Sequence, residues 1–166
     1  MANALLAVLA GIGGWTAING TDQATTNHEQ ARTLAQSSLR QWGWASVQVD
    51  IAFVDLGWGA AAFSTPRGAR HCSIQLDRSA WANATDEERQ RRMLHETGHC
   101  VGYFGVHPES GDHWRDHSDD PASVMYPFFA PGQTIQLADR TAVFRSRLAA
   151  GWIVEPAIVA GLGLVW

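Results

Sequence analysis

The stretch that decides the fold runs Thr85-Asp86-Glu87-Glu88-Arg89-Gln90-Arg91-Arg92-Met93-Leu94-His95-Glu96-Thr97-Gly98-His99-Cys100-Val101-Gly102. Thr85, with Glu88 three residues on, has the form of a capping box, and Asp86, Glu87 and Glu88 favour the positive end of a helix dipole. Gly102 suits a left-handed C-terminal turn, so a helix is expected from Thr85 to about Gly102. Within it His95 and His99 stand four residues apart. That spacing puts both imidazoles on one helix face, from which they can reach one ion, with Glu96 next to the first. Two imidazoles do not complete a catalytic zinc site, which takes three protein ligands and keeps a position for water. By average residue frequencies an HExxH falls by accident in roughly one chain of this length per hundred or more. The motif alone therefore decides little, and the downstream residues carry the weight.

Downstream the sequence reads His117-Ser118-Asp119-Asp120-Pro121-Ala122-Ser123-Val124-Met125-Tyr126-Pro127. With these residues the chain resembles the matrixin branch of the metzincin metalloproteases, in which the third zinc histidine opens HSxDPxxxMYP and a methionine eight residues later forms the Met-turn under the metal. His117 and Met125 have that separation here, Ser118, Asp120, Pro121, Tyr126 and Pro127 fall in place, and Gly102 occupies the glycine position of HExxHxxG. The resemblance covers about Leu94 to Pro127. More loosely it takes in Ser73-Ile74-Gln75-Leu76-Asp77 and Trp81, which are similar to the family's edge strand and the tryptophan after it.

The resemblance implies an α+β, metzincin-like domain: a twisted, mixed but mostly parallel sheet with an active-site helix and a C-terminal helix. It implies a zinc endopeptidase acting on protein or peptide, with His95, His99 and His117 as metal ligands and Glu96 as the base working on zinc-bound water. Met125 would be a packing floor, and Tyr126 and Pro127 would line the pocket for the residue after the scissile bond. One departure stands out. The family pattern puts its third histidine at position 105, which is Gly105, and residues 105–116 read as an insertion. His107 and His113 lie within it, so they compete with His117, which is favoured because the Met-turn spacing counts from it. The insertion begins where the helix ends, and Trp114 and Arg115 are expected to narrow the cleft. Matrixins also carry a pro-segment whose cysteine covers the zinc. None precedes this domain, so the expectation is an enzyme made active or restrained from outside, with Cys72 a weak candidate for an internal switch.

Elsewhere, Thr21-Asp22 opens a helix whose Ala31, Leu34, Ala35, Ser38, Leu39 and Trp42 recur at helical spacing until Gly43. Val47, Val49, Ile51 and Phe53 alternate with Gln48, Asp50 and Ala52, the period of a strand with one buried face. Ala60 to Ser64 and His71 to Leu76 read as two more strands around the turn residues Thr65-Pro66-Arg67-Gly68, and a last amphipathic helix runs from about Ala138 to Ala150.

Composition bounds the rest. A chain of 166 residues, 46% hydrophobic and 17% charged, is one globular domain. A net charge of −4 offers no field for nucleic acid, and the run Arg89-Gln90-Arg91-Arg92 is expected to be a solvated helix face. All twelve basic residues are arginine, which excludes lysine chemistry. Cys72 and Cys100 either pair in a disulfide, fitting an oxidising compartment, or remain two buried thiols. Asp112, Asp116, Asp119 and Asp120 could hold a structural Ca²⁺ but lack the spacing of a calcium loop, so a solvated acidic loop is expected. The apolar run Ala4 to Gly14 is too short to span a bilayer and resembles a signal-peptide core with no Lys or Arg before it. With Gly151 to Trp166 it gives apolar terminal segments, 1–20 and 151–166, that suit packing on the core or docking into a larger assembly. A structural or binding component of an assembly such as a virion, keeping a protease fold, is therefore the alternative function. A secreted or particle-surface location is favoured over the cytoplasm.

Overall fold

A computed structural model of the chain describes residues 12–57, 61–103 and 117–152, with side chains of the first helix described from residue 25. Its elements are α1 (Ile12–Trp42), β1 (Gln48–Val54), β2 (Ala62–Pro66), β3 (His71–Asp77), α2 (Arg78–Ala82), α3 (Asp86–Cys100) and α4 (Leu137–Ala149). The class is α+β with a small mixed sheet. Among the described residues no helix is long and apolar enough to cross a membrane. Most of the apolar terminal segments, the insertion with its histidines, Trp114 and Arg115, and Asp112 and Asp116 lie outside the described residues.

The alternation in β1 has the consequence its period dictates: Ile51 is buried while Gln48, Asp50 and Ala52 are exposed. β1 pairs with β3 in parallel, from Gln48↔His71 to Val54↔Asp77. β2 pairs with β3 antiparallel, from Ala62↔Leu76 to Pro66↔Cys72. The order is therefore β1-β3-β2, which corrects two expectations. The segment Ser73–Asp77 is the central strand and not the edge, and one pairing of the two is antiparallel, so the described sheet is not mostly parallel. A strand's place in a sheet depends on which distant segments pair with it, which its own residues do not encode. β2 takes the edge, where Pro66, expected in a turn, ends the strand without costing a ladder bond.

α1 begins at Ile12, upstream of Thr21-Asp22, because a capping dipeptide permits a helix start but does not impose one when no proline interrupts the preceding residues. Its stripe Ala31, Ala35, Ser38, Leu39 and Trp42 is buried, and α1 packs against α3. The Trp42 indole donates to the Leu94 carbonyl at 2.9 Å, fixing one helix on the other. The short α2, not anticipated from sequence, is capped by Asp77, which accepts from the Ala80 amide at 2.8 Å and the Ser79 hydroxyl at 2.7 Å. It also accepts from the Leu56 amide at 3.0 Å. These bonds, that from Ala80 foremost, hold the Asp77 carboxyl down at about 2.

The capping box of α3 is formed. Thr85 Oγ1 accepts from the Glu88 amide at 3.2 Å, and Glu88 Oε2 accepts from the Thr85 amide at 2.7 Å. The arginines after it are not a solvated face. Arg89 donates to the carbonyls of Trp81 and Ala82, Arg91 to that of Ala130, and the buried Arg92 to that of Ala80. Guanidinium groups present several donors in a fixed fork and carry apolar stems, so a charge run can clamp neighbouring backbone. Arg147 of α4, 1% exposed, does the same at the far end of α3. It donates to Val101 O at 3.0 Å and to Ala69 O at 2.7 Å, with its guanidinium 3.7 Å from the Trp44 ring centroid.

A disulfide joins Cys72 in β3 to Cys100 at the end of α3 across a Cα–Cα distance of 5.4 Å. Both residues are fully buried. With Cys72 bonded, it offers no thiolate to act as an internal switch. Closing 28 residues removes unfolded-chain entropy worth about 3–4 kcal/mol in the loop-closure model. Replacing both cysteines by alanine is accordingly expected to lower Tm by about 7–14 °C at this size, read by thermal melts of wild type and double variant under identical conditions.

Candidate metal centre

α3 lies buried on nearly all sides from Arg92 to Cys100, so its histidines are oriented by packing as well as by helical spacing. His95 is 5% exposed, and its Nδ1 lies 2.8 Å from the Val124 carbonyl. His99 Nδ1 lies 3.0 Å from the Tyr103 carbonyl. A carbonyl can only accept, so both Nδ1 atoms carry the proton and both Nε2 atoms present lone pairs. Loss of water around the two rings pushes each down to about 4, so both stay neutral near pH 7.

His117 comes from the loop before α4. Its Nε2 lies 3.2 Å from that of His95, which is in turn 3.3 Å from that of His99. One ligand atom from each of the three rings lies within 4.8 Å of the others. A tetrahedral zinc with nitrogens at about 2.0–2.1 Å separates them by about 3.3–3.4 Å. The donor set therefore fits such an ion: three imidazoles, two with the tautomer fixed from behind by carbonyls. The Nε2 lone pairs of His95 and His99, 3.3 Å apart, repel each other unless a proton or a cation lies between them.

Glu96 is 6% exposed, and burial raises its carboxyl above the ordinary range. A proton on His99 or His117, the buried Ser64 hydroxyl and the Arg92 guanidinium would each favour its charged form; Ser64 stands close without reaching full hydrogen-bond geometry.

Met125 is fully buried and closes the turn that begins at Ser118, whose amide donates to the Met125 carbonyl at 2.9 Å. It packs on α3 at Gly98, between the two helical histidines. A Cβ there would come within 2.3 Å of Met125 Sδ and 2.8 Å of Trp42 Cζ2. Gly98→Ala is therefore expected to destabilise by about 1–3 kcal/mol through overpacking, partly offset by about 1 kcal/mol of helix propensity. Urea unfolding of Gly98→Ala, Met125→Ala and the double variant measures it; if the clash is the cause, the double variant is less destabilised than the two singles added.

Tyr126 and Pro127, expected to line a pocket, are half-buried, with the Tyr126 ring edge-on to Phe128 at 5.8 Å. The aromatic ring beside the histidines is Phe129, 41% exposed and edge-on to His95 at 5.9 Å. Sequence reasoning missed Phe129 and Ser64, neither of which sits in a motif, and read Trp42 only as part of the apolar stripe of its helix. Of the acidic residues, Asp120 Oδ1 accepts from the Ala122 amide at 2.9 Å and shapes its own loop. The histidine triad is the one metal-suited group among the described residues. No family model, curated protein or solved structure matches the chain.

Proposed function

We propose that the chain is a zinc-dependent endopeptidase of metzincin-like fold. The convergence of three imidazole Nε2 atoms beside the buried Glu96 carries the reading. Zinc bound there would polarise a carbonyl and bring the pKa of water toward neutrality. Glu96 accepts the proton of the attacking water and hands it to the leaving amine. β2, which among the described residues is hydrogen-bonded on one side only and packs on α3, would offer that edge to an extended peptide. The exposed rings of Phe63 on that strand and of Phe129 beside His95 favour apolar residues near the scissile bond. The buried disulfide supports an oxidising compartment.

Zinc content by mass spectrometry and peptide-library cleavage, before and after chelation, test this. Stoichiometric zinc is expected, with cleavage lost on chelation and regained with zinc. Zinc without cleavage of any library would turn the reading toward a binding module.

A further inference from the structure

We propose that Asp139 and Ser123 form a buried relay through which α4 orients the metal centre, making both positioning residues for His95; this rests on the zinc-site reading above. Ser123 and Asp139 are 0% and 1% exposed. The Ser123 hydroxyl lies 2.7 and 2.8 Å from the two Asp139 oxygens and can only donate to a carboxylate. Its own lone pair accepts from the Met125 amide at 2.9 Å. Asp139 is anchored in turn by the Gln136 amide at 2.8 Å, at the first turn of α4.

The direction of the chain is thus fixed: carboxylate, hydroxyl, Met125 N–H. Between the two residues it holds lies Val124, whose amide donates to Thr134 O at 2.9 Å and whose carbonyl faces His95 Nδ1 at 2.8 Å. Pinning residues 123 and 125 from α4 aims the carbonyl of residue 124 at the imidazole. That carbonyl selects the tautomer presenting Nε2 to the metal, and partners of this kind tune metal affinity. Alanine at 123 would remove little volume but break the link, leaving the Met125 amide without its acceptor and the Asp139 carboxylate with only the Gln136 amide of these bonds.

The test uses the full chain and two readouts: zinc affinity by chelator competition and the absorption spectrum of the Co²⁺-loaded protein. Ser123→Ala and Asp139→Ala are expected to weaken zinc by about 10–100-fold and to shift the Co²⁺ bands. Asp139→Asn keeps an acceptor oxygen and is expected to restore most of the affinity. Val143→Ala, a core truncation on the same helix, is expected to lower Tm without moving either readout. Ser123→Ala and Asp139→Ala with lowered Tm but wild-type affinity and spectrum would overturn the relay and leave the zinc reading standing. Wild-type protein that takes up neither metal would overturn both. Should Asp139→Ala fail to fold, Ser123→Ala decides alone.

Discussion

Glu96→Ala is expected to keep its zinc and lose peptide hydrolysis by about 10²–10⁴-fold in kcat/KM, the usual contribution of a positioned general base. The two halves of that result have separate physical origins. Metal retention follows because the converging donors are the three imidazoles, two of them held from behind by the Val124 and Tyr103 carbonyls, none of which involves the carboxylate. Activity is expected to fall because, among the described residues, no other carboxylate stands beside the three imidazoles to take the proton of the attacking water. Burial already disfavours the charged form of Glu96, so removing it is not expected to lower Tm. Zinc content by mass spectrometry and progress curves on the best library peptide give both numbers. Wild-type turnover by Glu96→Ala would remove the residue from the mechanism.

His117→Ala is expected to weaken zinc by more than the about 10–100-fold typical of losing an outer-shell partner, because a whole donor is removed. The fold should survive. His117 is a partly exposed loop residue, whereas the core of Trp42, Trp44, Ile74, Leu76, Trp81 and Met93 and the Cys72–Cys100 bond lie elsewhere. The informative companions are His107→Ala and His113→Ala, the competitors within residues 105–116. If the loop histidine that approaches His95 and His99 is the third donor, both competitors keep wild-type affinity. Chelator competition on the three variants separates the candidates, and a loss confined to His113→Ala would transfer the role.

How much of this could be read in advance depends on the range of the forces involved. The capping box at Thr85 and Glu88 and the positive-φ glycines that follow α3 and α4, Gly102 and Gly151, were legible because each involves bonds within a turn or so. The face shared by His95 and His99 is likewise a property of helical spacing. The arginine run misled because charge argues for solvent, while the carbonyls of Trp81, Ala80 and Ala130 that accept from it come from other elements. Cys72 and Cys100 were open between bond and thiols for the same reason. Asp139 and Ser123 gave no signal at all, since neither a helix-start aspartate nor a loop serine differs in sequence from one that caps only itself.

By itself, then, the sequence determined the helix that carries two imidazoles and a carboxylate, the strand with one buried face, and the spacing from His117 to Met125. Those follow from local hydrogen bonding and side-chain period. Only the tertiary structure decided that β3 is central and β2 the edge of the described sheet, that His117 comes within 3.2 Å of His95, and that the Val124 carbonyl sets the His95 ring proton. Each of these joins segments far apart in the chain, and its geometry exists only once the core has brought them together.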